Sequence, residues 1–312
     1  MDDHNYTFVK YPGFKKDVVK ELIPLAKTYE INDSKLRSYL ITLLTKYGNV
    51  EQNIVEELFD DDGIRFIKVA FTHPSMFEDK NYEFYEIMGD VTVNKCIVWY
   101  IYRRLPEIRN LSNSAMLMTE LKKKYISKKS FSPFCKQLGL DQFIRWKSVS
   151  YQEGKYIKQV QVDDSMREDV FEAFFACLED LIDSRILMNT GMNVVYNIIA
   201  SLLDQENIVT DLSELVDPKS QLKEVLEDVN FVPYVHSKEE IRKNQLENKK
   251  WKVEFELKLK QNICNENIPF TKGYYSKVFY SNEQNKVIEA EKEVAIKVLN
   301  WLKSCGFKWT AK

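Results

Sequence analysis

The sequence predicts a mainly helical protein, an all-helical domain followed by a small α+β unit. Three observations predict it. Apolar residues recur at helical spacing from residue 15 to about residue 204. Strict period-two alternation first appears in WKVEFELKLK, residues 251–260. The chain then closes on VIEAEKEVAIKVLNWL, a long amphipathic helix pattern. The polar stretch QENIVTDLSELVD breaks the periodicity between these two parts, which places a helical leader in 1–50, a helical domain in 51–207 and the α+β unit in 208–312.

In the leader, Val18, Val19, Leu22, Ile23 and Leu25, then Leu36, Leu40, Ile41, Leu43 and Leu44, follow the helical period around an interruption at INDS. Asn32, Asp33 or Ser34 there can cap the second helix. No chemistry is expected of this leader. The helical domain continues through VEELF, IRFIKVAFTH, YEIMGD running into CIVWYIY, AMLMTELKKKYIS, FCKQLGL, DVFEAFFACLEDLI and NVVYNIIASLL, with no convincing alternation anywhere in the block. In the last unit, DPKSQLKEVLEDV is a short helix with Pro218 early, as helix starts prefer. WKVEFELKLK and YYSKVFYS read as strands ahead of the closing helix, within a unit expected to have an α-β-β-β-α order.

With 312 residues, 44% of them hydrophobic, the chain can bury a substantial core. Its 45 basic and 47 acidic residues nearly cancel, so bulk charge points neither to nucleic acid nor to a membrane. Cys96, Cys135, Cys177, Cys264 and Cys305 are odd in number and scattered, which argues against a disulfide framework and against a thiolate zinc site. The first residues, MDDHNYTFVKYPGFKKDVV, lack an apolar signal core, and no run reaches the ~18 residues that cross a bilayer. A soluble, intracellular protein without a small-molecule cofactor is the expectation.

The chemistry concentrates in acids beside apolar runs. Glu83, Glu86 and Asp90 in NYEFYEIMGDVTVN share a helical face, as do Asp169 and Glu172 in EDVFEAFFACLED. Convergence of the two faces would suit a hard, oxygen-seeking cation such as Mg²⁺. The same spacing also fits ordinary solvated faces, the commoner case, and spacing alone does not decide between them.

FTHPSM, then YEFYEIMGDVTV, then DVFEAFFACLED, in that order with helices between, resembles the ribonuclease III family, whose signature helix has the form E-x-x-E-F-L-G-D and whose site is completed by a later D-x-x-E-A. The resemblance runs from about residue 63 to residue 183 and includes the linking segment that ends in LGL. It implies an endonuclease domain that dimerises through the signature helix and cuts both strands of duplex RNA, leaving 5′ phosphates and short 3′ overhangs. Glu86, Asp90, Asp169 and Glu172 fall on the metal-site acids, Glu83 on the acid that opens the signature and Gly89 on its glycine. Mg²⁺ is the implied cofactor, with Mn²⁺ as substitute. Ile87 and Met88 replace the usual Phe and Leu, and only Glu107 is placed to supply a further acid that the family carries before the next helix. His73 reads as structural, and CIVWYIY as core or dimer interface.

DPKSQLKEVLED resembles the first helix of a double-stranded-RNA-binding domain, and the element order up to the last helix agrees with that fold. The implied RNA contacts are Lys219 and Gln221 in that helix, Lys249 and Lys250 between strands, and Lys286 at the start of the last helix. Lys122, Lys123 and Lys124 in the catalytic domain join them, although such a run equally forms a solvated face. The family's paired lysines at the last helix are reduced to Lys286, Val287 and Ile288, and SKEEIRKNQLENKK stands where a Gly-Pro loop is usual. The competing expectation is a non-catalytic RNA-binding or structural protein on the same scaffold, of the ribosome-associated kind; the intact acids disfavour it.

Overall fold

In a computed structural model of the chain, residues 28–152, 155–264 and 267–310 are described. They divide into two compact units: residues up to Leu111 with Lys122–Ile208, and Ser112–Leu121 with Val209–Lys312. No described helix is long and apolar enough to cross a membrane.

The first unit opens with strand β1 (Thr28–Tyr29) and helices α1 (Asp33–Leu43), α2 (Gln52–Leu58) and α3 (Asp61–Ile67). Asn32 caps α1 by accepting from Lys35 N at 2.9 Å, as its residue type allows. Leu36 and Leu40 of α1, and Leu44 just beyond it, are fully buried and contribute to the core of the unit. The helix expected around Val18–Leu25 lies outside the described residues.

In chain order helices α4 (Glu83–Arg104), α5 (Ser114–Tyr125) and α6 (Lys128–Leu138) follow, of which α5 up to Leu121 is counted with the second unit. Then come strands β2 (Trp146–Lys147), β3 (Val149–Gln152) and β4 (Lys155–Gln159), and helices α7 (Asp164–Arg185) and α8 (Gly191–Leu203). Helix α7 is the axle of the unit. Val170, Phe171, Ala173, Phe174, Phe175, Cys177 and Leu178 are all essentially buried, so nearly its whole circumference is covered, and α4, α6 and α8 pack around it. Phe171 meets Phe131 of α6 with ring centres 5.2 Å apart.

The block is not purely helical. β1 pairs antiparallel with β2, and β3 with β4. The expectation of an all-α block is corrected here: the aromatic and β-branched residues of SYQEGKYIKQVQV do not alternate, and strands of two to five residues give a period of two little length in which to show.

The second unit carries α9 (Leu212–Leu215), α10 (Pro218–Leu226), β5 (Val235–Gln245), β6 (Trp251–Leu259), β7 (Phe270–Thr271), β8 (Tyr274–Tyr280) and α11 (Val287–Ser304). Its antiparallel sheet has the order β5-β6-β8-β7, with α10 and α11 packed together and α11 on the sheet. Val253, Phe255, Leu257 and Leu259 of β6 alternate into a core with Phe231, Ala290, Val298 and Leu302, as the period-two pattern requires. SKEEIRKNQ, which stands where a Gly-Pro loop is usual and could equally form a solvated hairpin, is most of β5. It lies at an edge and is largely exposed, so it has no apolar face to reveal it.

Cys264 and Cys305 are joined as a disulfide, with Cα atoms 5.0 Å apart across a sequence separation of 41. One pair is not a disulfide framework, and cysteine number carries no information on which distant pair the fold brings together. Cys96, Cys135 and Cys177 are free and buried. Burial pushes the first two thiols up to about 12 and the third well above its ordinary range.

Candidate active site

The acid-bearing helices α4 and α7 make the most extensive helix contact of the first unit. Gly89 sets how closely they approach. A β-carbon built there would stand 1.9 Å from the carbonyl oxygen of Glu172, so the two backbones touch where only glycine fits. Glu86 and Asp90 flank Gly89 on α4, and Glu172 is the residue it touches on α7. One close contact thus brings an acid pair from each helix to the same place.

Their electrostatics register the convergence. Glu172, 8% exposed, has its carboxyl pushed up to about 8, by burial first and then by the charges of Asp90, Glu168, Glu86 and Asp169. Glu86 is pushed up to about 7, again by burial first, then by Asp169, Glu83, Glu168 and Asp90. Burial also raises Asp169, against which a hydrogen bond from the Tyr82 hydroxyl acts at 3.1 Å. Asp90 is exposed and accepts from Asn94 Nδ2 at 2.9 Å, while Asn94 Oδ1 is buried without a hydrogen-bond partner. Glu83, exposed on the first turn of α4, contributes field to Glu86.

The oxygens nevertheless do not close on one point. Among the described residues, no group of three or more His, Cys, Asp or Glu side chains stands at a spacing that would hold a metal ion. The four acids share a field and a helix contact but not a coordination cage, as like-charged carboxylates free to rotate keep apart. The donor set fits a hard divalent cation all the same. It is entirely oxygen, and two of its members hold protons near neutrality that a cation would displace.

Sequence reasoning passed over Glu168. It adds to the field on Glu86, Asp169 and Glu172, and its carboxylate lies 3.5 Å from Lys128 Nζ. Its position four residues before Glu172, on the same face of α7, was the available signal. Glu107 is placed differently. It lies in the turn Pro106–Asn110 beyond the C-terminal end of α4, so at ~1.5 Å of rise per residue it stands some 30 Å from Glu86 within this chain. His73 Nδ1 lies 2.8 Å from Ser75 Oγ, and its ring is edge-on to that of Tyr82.

Of the expected RNA contacts, Lys122, Lys123 and Lys124 are exposed on the last turn of α5. Lys249 and Lys250 sit at the β5–β6 turn and Lys286 caps α11, all exposed. Gln221 is a correction. It is 6% exposed and its amide donates to the carbonyls of Ser213 and Val216 at 2.8 Å each, so it clamps the segment before α10. Lys219 pairs with Glu291 at 2.5 Å and Lys250 with Glu283 at 3.8 Å.

One face of α4 beside the acids is apolar and uncovered. Phe84, Ile87, Met88 and Val91 are 52–69% exposed at helical spacing. An open cleft of about 460 Å³ adjoins it, lined by Phe84, Met88, Ala176 and Met188 among others.

Residues 83–179 match the family described as "Ribonuclease III domain". Both acid pairs lie inside that span. The chain is 33% identical over 177 residues to "Putative ribonuclease 3" of Invertebrate iridescent virus 6, covering 53% of this chain and 58% of that one. It is 32% identical over 159 residues to "Putative ribonuclease 3" of Frog virus 3 (isolate Goorha), covering 51% and 41%. "Ribonuclease 3" of Lactococcus lactis subsp. cremoris (strain SK11) is 26% identical over 183 residues, 55% of this chain and 71% of that protein. The matched region thus spans about half the length of the viral relatives. Among solved structures, the nuclease domain of ribonuclease III from Campylobacter jejuni matches 52% of this chain and 96% of its own length, at 18% identity and a TM-score of 0.34, too loose a superposition for residue-by-residue reading.

Proposed function

We propose that this chain is a Mg²⁺-dependent endoribonuclease that acts on double-stranded RNA as a homodimer. The observation that carries this is the Gly89–Glu172 contact, which gathers Glu86, Asp90, Asp169 and Glu172 into one field within the stretch that matches the ribonuclease III domain family. These four residues would hold the cation, and Glu83 would add charge beside it. The bound ion would supply an acidified water as nucleophile and charge stabilisation for the leaving 3′ oxygen, which leaves a 5′ phosphate on the product. The chain's own part is to keep the carboxylates together on rigid helices and to fix their orientation. Lys122, Lys123 and Lys124 offer phosphate contacts near the domain. In the second unit Lys249 and Lys286 are the better RNA contacts, since Lys219 and Lys250 face acids of their own unit.

The exposed stripe of α4 would bury itself against the same stripe of a second copy, an isologous contact of apolar residues. Ile87→Glu would place a charge at its centre. The expected result is conversion of a dimer to a monomer of 36.9 kDa in sedimentation velocity, with unchanged helical circular dichroism; a dimer that persists would move the interface elsewhere.

Incubation of purified protein with labelled duplex RNA, single-stranded RNA and duplex DNA tests the activity. Cleavage of the duplex RNA alone, dependent on Mg²⁺ or Mn²⁺, is expected. Binding without cleavage in either metal would favour a non-catalytic RNA-binding protein on the same scaffold.

A further inference from the structure

Tyr82 stands immediately before α4 and is 3% exposed. It is fixed from three sides. Its amide donates to Thr72 O at 3.0 Å, its ring lies edge-on to His73 with centres 5.8 Å apart, and its carbonyl accepts the amide of Glu86 at 2.8 Å. Its hydroxyl then crosses to α7 and donates to Asp169 Oδ2 at 3.1 Å. One buried side chain therefore joins the start of the helix that carries Glu86 and Asp90 to a carboxylate on the helix that carries Asp169 and Glu172.

A buried tyrosine needs a partner for its hydroxyl, and many acceptors would serve. The one it has here is a site acid. A carboxylate that accepts from a fixed donor loses torsional freedom, so one oxygen is held and the other is left at a defined place. Without that bond Asp169 would be free to turn from the like charges of Glu86, Glu168 and Glu172, whose fields it shares.

We propose that Tyr82 is a positioning residue for the acidic site: its hydroxyl holds Asp169 in the orientation that receives a divalent cation. The proposal rests on the nuclease reading above for its purpose, but it is tested by binding of the metal alone. Full-length wild type and Tyr82→Phe are titrated with Mn²⁺ without RNA, the free ion followed by electron paramagnetic resonance. Removing such a supporting donor characteristically weakens metal binding by ~10–100-fold, and a loss of about tenfold or more is expected for Tyr82→Phe. In cleavage assays kcat falls while KM for the duplex stays, because the ring that packs against His73 is retained.

The control is Tyr100→Phe. Tyr100 is also on α4, is 4% exposed, and donates to Asp204 Oδ1 at 2.8 Å, far along the helix from the acids. Its loss is expected to leave Mn²⁺ affinity unchanged. Wild-type affinity in Tyr82→Phe overturns the proposal, and so does an equal loss in Tyr100→Phe, which would mark general loosening of α4. A wild type that binds Mn²⁺ but cuts no RNA would overturn the nuclease reading and leave Tyr82's role standing on the binding difference. A wild type that binds no Mn²⁺ overturns both.

Discussion

Glu172→Gln is expected to abolish Mg²⁺-supported cleavage and at the same time to stabilise the metal-free protein. Glu172 is the most buried of the four acids. Replacing its carboxylate by a neutral amide removes a ligand charge from the proposed site, and a loss of ~10²–10³-fold or more in rate follows from removing one such electrostatic contact. Stability moves the other way. In the folded protein the carboxyl is pushed up to about 8, against an ordinary value of 4.5. A raised carboxyl means that the folded state binds the proton more tightly than the unfolded chain, so stability falls as pH rises between those two values. Glu86, raised to about 7, acts in the same sense over a narrower window. The wild type in EDTA should therefore lose thermal stability from about pH 5 to about pH 8, and Glu172→Gln should lose less. At pH 8 a gain on the order of 2 kcal/mol, some 4–8 °C in Tm, is expected, shrinking as pH falls and vanishing below about pH 4, where the wild-type group is protonated in either state. Saturating Mg²⁺ should flatten the wild-type pH dependence and leave the variant unmoved. Equal Tm values in EDTA at pH 8 would mean that Glu172 carries no such repulsion, and the site would lose its electrostatic basis.

That opposition of stability and function is why the acids were legible in the sequence. Carboxylates beside CIVWYIY and AFFACLEDLI are costly to a core, and such placements persist where a ligand offsets them. The period of three and four put Glu86 with Asp90 and Asp169 with Glu172; it could not put the two pairs together, because that depends on Gly89 meeting Glu172, a contact 83 positions apart in a chain that gives no sign of it beyond a glycine inside a helix. Glu168 was passed over for a related reason, since it lies outside the D-x-x-E spacing and acts only through the fold. The hairpin of β3 and β4 is too short for its period to stand out, and β5 is polar on both faces because it is an edge strand. Leu36, Leu40 and Leu44 were readable as a helix, but not as part of the first core, since an apolar face does not name what it packs against. Gln221 failed in the opposite direction. A polar residue in a motif-like helix suggests a groove contact, and only the carbonyls of Ser213 and Val216 show that its donors are already engaged.

Gly89→Ala should cause the largest structural loss of any single methyl addition in the site. The new carbon would lie 1.9 Å from Glu172 O and 2.3 Å from its carbonyl carbon, and both are backbone atoms of a buried helix that no rotamer change can move. Either α4 and α7 separate along their contact or α4 rotates. Overpacking that forces backbone shifts costs ~3 kcal/mol or more at such a place, about 6–12 °C in Tm. The intrinsic helical preference of Ala over Gly, worth ~1 kcal/mol, opposes this and is too small to cancel it. Function should fall further than stability. The separation moves Glu86 and Asp90 away from Asp169 and Glu172 together, and a displacement of ~1 Å in a catalytic constellation costs ~10²-fold in rate even in molecules that remain folded. Assays at a temperature well below the lowered Tm separate the two effects: cleavage should stay depressed where circular dichroism reports full helix content. A Gly89→Ala protein with wild-type Tm would show that the helices are not in backbone contact at this point, and with that contact would go the reason for placing the four carboxylates in one field.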